Sequence, residues 1–73
     1  MRKPLAHWRR ERSLSQAQLA KLVGVTTSAV GNWEAGVRVP RLPTLRRVAD
    51  VLGCSIEDIE FAAESTSKSA NSA

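Results

Sequence analysis

An all-α domain of five short helices is the fold class this sequence predicts, and three observations predict it. Apolar residues recur at spacings of three and four along most of the chain. Serine or threonine stands just before several of these apolar runs, and Gly24, Gly36 and Gly53 stand just after them, where helices start and stop. No stretch alternates with the two-residue period of a strand.

Each helix can be justified in order. Pro4 occupies a position that proline tolerates at a helix start, and Leu5 and Trp8 lie three apart, so a first helix is expected over roughly 4–12. Ser15 and Gln18 form a capping-box pair that opens a second helix. Its buried face should carry Leu19, Leu22 and Val23, with Ala20 small where a neighbour approaches, and Gly24 should end it. Thr26 can cap a third helix over about 27–34 that holds Val30 and Trp33 and stops at Gly36. Residues 37–40 read as a loop, because Pro40 biases Val39 away from helix. A fourth helix over about 42–52 carries Leu45, Val48, Ala49 and Leu52. Ser55 can cap a short fifth helix bearing Ile56, Ile59 and Phe61, with Glu57 and Asp58 suited to its first turn. The segment 65–73 is Ser/Thr/Ala/Asn-rich and is expected to be a disordered tail, which leaves 4–62 as the folded domain.

Composition narrows the function. Seventy-three residues allow one small core, and the usual staples are missing. Cys54 is the only cysteine and His7 the only histidine, so neither a disulfide nor a zinc site can close within the chain. No catalytic constellation, phosphate-binding glycine loop or paired carboxylates stand out, so no enzyme, cofactor or metal is expected. The lone cysteine and the lack of a long apolar run predict a cytoplasmic protein.

Charge is lopsided. Residues 1–47 hold ten Lys/Arg against Glu11 and Glu34, a net of +8. Residues 48–73 hold Lys68 against Asp50, Glu57, Asp58, Glu60 and Glu64, a net of −4. A basic front with an acidic back fits a polyanion bound by the first part, although charge alone leaves an uneven solvated surface equally open.

Two short helices joined across Gly24 make a helix-turn-helix over about 15–34. The second of these helices leaves Thr27, Ser28, Gly31, Asn32 and Ala35 facing away from Val30 and Trp33. Short side chains on that outer face suit a helix lying deep in the DNA major groove, where polar groups read base edges. Trp8 and Trp33 fall at buried positions of the pattern and are assigned to the core rather than to base stacking, and Cys54 likewise stands where an apolar residue belongs.

From Leu5 to Ile59 the sequence resembles the lambda-repressor-like, or Cro/C1/Xre-type, helix-turn-helix regulators. The resemblance rests on Leu14-Ser15-Gln16, Leu19-Ala20, Gly24-Val25, Val30, Trp33-Glu34, Gly36, Pro40, Thr44-Leu45, Ala49, Leu52-Gly53, Ser55-Ile56 and Asp58-Ile59, with no gap. It implies a compact five-helix DNA-binding domain, with double-stranded DNA as partner. Thr27, Ser28 and Asn32 match base-reading positions. Gln16 matches a residue that faces a phosphate and often bridges to the recognition helix, and Arg38 and Arg41 match backbone contacts. Arg10, on the first helix, is placed near DNA as well, whereas Arg46 and Arg47 receive no role. Arg9 and Glu34 match a pair that forms an ion pair in some members. A transcriptional regulator, more often a repressor, is the implied role, and a protein-interaction module such as an antitoxin or adaptor is the alternative. A homodimer is expected through Ile56, Ile59 and Phe61, which exceed the apolar surface one short helix needs. No membrane and no small-molecule ligand is expected.

Three departures from the family pattern stand out. Ser13 replaces a common glycine, Gly31 interrupts the recognition helix, and the base-reading set contains no arginine. Without an arginine–guanine contact, DNA shape is expected to carry much of the specificity.

Overall fold

Residues 2–61 are described in the computed structural model of the chain, so the expected tail over 65–73 lies outside them, as does the expected domain end at 62. The elements in chain order are β1 (Lys3–Pro4), α1 (Leu5–Glu11), α2 (Gln16–Val23), α3 (Thr27–Ala35) and α4 (Leu42–Leu52). A 3-10 turn (Ile56–Asp58) and β2 (Ile59–Glu60) follow. The fold is all-α in class, with four α-helices and a 3-10 turn where the sequence predicts five helices.

The caps explain the boundaries. The Ser15 hydroxyl accepts from the Gln18 N–H at 3.0 Å, and the Gln18 side chain accepts from the Ser15 N–H at 2.7 Å. Together they satisfy two donors that the start of α2 leaves orphaned. Thr26 does the same for α3, accepting from the Ala29 N–H at 3.1 Å. α2 ends at Gly24, whose φ of +88° lies in the left-handed region that a Cβ disfavours. That conformation reverses the chain between α2 and α3.

α2 packs against both α3 and α4, around a core of Leu5, Leu19, Ala20, Val23, Val30, Trp33, Val48, Ala49, Leu52, Ile59 and Phe61. Among the described residues no polar or charged side chain is buried in this core. Trp8, Leu14, Val25, Leu45, Cys54 and Ile56 pack against its rim. Leu22 departs from the expected buried face and is 59 % exposed. The stripe on α2 is centred on Leu19, Ala20 and Val23, and Leu22 lies about 100° around the helix from Val23, beyond the reach of α3 and α4.

The largest departure is at the end of the domain. One turn closes after Ser55, whose N–H donates to Asp58 Oδ2 at 3.1 Å. The backbone at Ile59 is then extended, and β2 pairs in parallel with β1, Lys3 opposite Ile59 and Pro4 opposite Glu60. Ile59 and Phe61, two residues apart, thereby turn to the same side and enter the core at 1 % and 2 % exposure. The expectation that they offer free apolar surface to a second copy therefore fails, because the chain's own core uses them. Trp8 Nε1 donates to the Asp58 carbonyl at 2.9 Å, and Arg2 Nη1 donates to the Glu57 carbonyl at 3.0 Å. These bonds and the strand pair fasten the two ends of the domain together.

Two further contacts join α1 to its surroundings. Arg12 Nε donates to the Leu52 carbonyl at 2.9 Å, satisfying an orphan acceptor at the C-terminus of α4. Ser13, after α1, is the one non-glycine residue with positive φ among the described residues, at 56°. Its N–H donates to the Arg10 carbonyl at 2.9 Å. The turn is thus closed in a conformation that glycine adopts more cheaply.

Phe61→Ala is expected to cost about 3–5 kcal/mol in urea unfolding, with a midpoint independent of protein concentration; a midpoint equal to the parent's would place Phe61 outside the core. Ser13→Gly is expected to raise stability by up to about 1 kcal/mol, the relief of left-handed strain being partly offset by the greater freedom of glycine in the unfolded chain. A lower melting temperature for that variant would show that the serine side chain stabilises the turn.

Candidate nucleic-acid interface

The site is built on α3, whose sequence makes one face heavy and the other light. Val30 and Trp33 point into the core. Helical geometry turns Thr27, Ser28, Gly31, Asn32 and Ala35 away from them. Thr27, Ser28 and Ala35 are exposed, while Gly31 and Asn32 are half-buried. This outer face carries hydroxyl and amide groups and no charge, so it can present donors and acceptors to base edges without a bulky side chain holding the helix off.

A three-residue network holds α3 in place. Arg9 on α1 donates from Nε to Glu34 Oε2 at 2.6 Å and from Nη2 to Glu34 Oε1 at 3.2 Å, the two-pronged geometry that suits a guanidinium and a carboxylate. Gln16, the first residue of α2, donates from Nε2 to the same Glu34 Oε1 at 3.0 Å. The Arg9 Nη1 donates to the Leu14 carbonyl at 2.8 Å, which closes the turn between α1 and α2. One carboxylate thus joins three helices, with the Arg9 and Glu34 side chains only 12 % and 10 % exposed. Burial on its own would raise the pKa of Glu34. The hydrogen bonds from Arg9 and Gln16, with the charges of Arg9 and Arg10, outweigh that and hold it below the ordinary glutamate value.

The remaining basic side chains surround this face unequally. The Asn32 carbonyl accepts from the Val37 N–H at 2.9 Å and the Arg38 N–H at 3.3 Å, which sets Arg38 directly beyond the C-terminus of α3. Arg41 is the N-cap of α4, exposed and making no side-chain cap. Arg10 is exposed on α1, close enough to Glu34 for its charge to be felt there. The site residues named from the sequence therefore fall into two groups. Gln16, Arg9 and Glu34 are joined by direct bonds, while Thr27, Ser28 and Asn32 share a helix face with no bond between their side chains among those described.

Sequence reasoning missed Arg12 as an anchor to α4, since a bond across forty positions leaves no local pattern. It also missed the joint use of one Glu34 oxygen by Arg9 and Gln16, which depends on how three helices meet. Val37, in the loop after α3, and Leu42, the first residue of α4, are 66 % and 53 % exposed and flank Arg38 and Arg41 with apolar surface that periodicity did not single out.

Among the described residues there is no group of three or more His, Cys, Asp or Glu placed to hold a metal ion, and no helix is long and apolar enough to cross a membrane. Cys54 is half-buried against the core, and burial pushes its thiol pKa up. Comparison with known proteins agrees with the geometry. A family model described as helix-turn-helix matches residues 5–59, from the first residue of α1 to the first residue of β2, a span that contains every residue named above for the candidate interface. No curated protein matches the chain.

The lowered Glu34 pKa links this network to pH. Its folded value lies below its unfolded one, so the stabilisation is complete above the ordinary glutamate value near 4.3 and is lost as pH falls through the folded value. Urea midpoints measured from pH 7 downward should fall across that acidic window, and Glu34→Gln should flatten the fall. Glu34→Ala should cost on the order of 3 kcal/mol at pH 7, because it leaves the Arg9 guanidinium partly buried and unpaired. An acid limb equally steep in Glu34→Gln would assign the pH dependence to other carboxylates.

Proposed function

We propose that this chain, a member of the lambda-repressor-like (Cro/C1/Xre-type) helix-turn-helix family, is a sequence-specific transcriptional regulator that reads duplex DNA with α3 in the major groove. DNA binding by a regulator is what the family itself supports. The specific reading rests on one observation: α3 turns an uncharged face of short polar side chains outward, while Glu34, its only acidic residue, is ion-paired with Arg9 and hydrogen-bonded by Gln16.

In this reading Thr27 and Ser28, in the first turn of α3, and Asn32, one turn later, contact base edges. Asn32 carries the amide best suited to a paired donor and acceptor contact with adenine. Gln16, Arg38, Arg41 and Arg10 contact phosphates and set the register of the docked helix. The Gln16 amide is already turned toward α3 by Glu34, so the phosphate contact and the base-reading helix move as one body. With no arginine on the reading face, groove width and duplex flexibility supply part of the discrimination.

Two copies on an inverted repeat complete the reading, with half-sites about 34 Å apart so that both reading helices enter one face of the duplex. Support for a second copy comes from Val37, Val39 and Leu42, three exposed apolar residues within six positions of the loop into α4. Occupancy of such a site across a promoter would exclude polymerase, which favours repression over activation.

Selection from a randomised duplex library at physiological salt is the direct test, followed by titration of the enriched sequence with Asn32→Ala. An inverted repeat is expected. The variant should lose about 1–3 kcal/mol on the selected site and bind unrelated duplex as the parent does. Equal loss on both duplexes would remove Asn32 from base reading, and binding without enrichment would replace the regulator by a sequence-indifferent binder.

A further inference from the structure

Gly31 lies at the centre of the outer face of α3, and nothing inside the chain calls for a glycine there. Its backbone is helical rather than left-handed, so no conformational freedom is used, in contrast to Gly24, Gly36 and Gly53. A Cβ built on it would meet only Gln16 Oε1, at 3.8 Å, an ordinary van der Waals distance. Packing therefore leaves room for a side chain. Helix stability argues against the glycine, since it is among the least favourable residues in a helix interior. A position that is unfavourable locally and unconstrained by its own fold is explained by what approaches from outside.

The neighbours of Gly31 indicate what that is. Thr27 precedes it by one turn, Ser28 by three residues, and Asn32 follows it directly, so it stands among the groups that face the bases. The nearest atom to such a Cβ belongs to Gln16, whose amide is held by Glu34 and which the proposed function assigns to a phosphate. Gly31 thus bridges the base-reading set and the phosphate-contacting residue. A side chain at this point would stand between the helix backbone and the groove wall and lift both sets together.

From this we infer that Gly31 is a positioning residue that sets the depth at which α3 lies in the major groove, letting its backbone rest against the sugar-phosphate wall of the duplex. The inference rests on the DNA-binding reading above. It makes specificity depend on a missing side chain: short hydroxyl and amide groups reach base edges only if the helix axis comes closer than a β-carbon at this position permits.

Gly31→Ala separates this role from a merely tolerated glycine, because the two effects have opposite signs. The variant should fold more stably than the parent, with a melting temperature higher by a few degrees, on the order of 4–8 °C. On the duplex enriched by the parent it should bind at least tenfold more weakly, and Gly31→Leu should bind more weakly still. Binding by Gly31→Ala at the parent's affinity, together with a raised melting temperature, would overturn the inference. If the parent itself bound no duplex, the DNA-binding reading would fall and this inference with it, whereas parental binding with an unaffected variant would leave that reading standing.

Discussion

The Glu34 carboxylate is the contact on which the rest of the interface depends. Its two oxygens take three hydrogen bonds, two from Arg9 on α1 and one from Gln16 at the start of α2. Helix α3 has only nine residues and buries just Val30 and Trp33, so apolar packing alone gives it few points of purchase. A polar bond near its C-terminus fixes the rotation and tilt that two buried side chains leave soft. The energetic value of such a pair can be small beside a well-packed apolar alternative. Its geometric value is larger, since it orients the outer face of α3 relative to α1 and α2.

A second constraint is size. So short a chain forms a small core, and its single cysteine leaves no disulfide within the chain to brace it. The domain instead closes on itself. Parallel pairing of β1 with β2, Trp8 on the Asp58 carbonyl and Arg2 on the Glu57 carbonyl fasten the first residues to the last described ones. Arg12 fastens the end of α1 to the end of α4. These contacts draw Ile59 and Phe61 inward, so surface that looked available to a partner became part of the core. The apolar surface left outside is on Leu22 and on the segment from Val37 to Leu42.

Rigidity and plainness are divided between the two sides of α3. The inner side carries the ion pair, the tryptophan and the caps, all of which hold the helix in one place. The outer side carries hydroxyls, an amide and a glycine, which add little bulk and little charge. Positive charge stands instead on the neighbouring segments that hold Arg38, Arg41 and Arg10, all exposed. Under the proposed reading, phosphate contacts and base contacts fall to different elements, so that each can vary without dismantling the other.

By itself the sequence determined the helices, their caps and their reversal, because these are set by residues within one turn of each other. Ser15 with Gln18, Thr26 at the start of α3 and Gly24 between the two helices are local chemistry, legible without any fold. The outer face of α3 was legible too, from the spacing of Val30 and Trp33. Tertiary structure alone decided what depends on distant segments meeting. Whether Leu22 is covered depends on where α3 and α4 lie, and whether residues 59–61 continue a helix depends on a strand partner fifty-six positions earlier. The shared Glu34 oxygen and the room for a β-carbon beside Gln16 at Gly31 are of the same kind. Periodicity records which face of an element is apolar; what that face or its neighbour touches is fixed only once the chain has closed.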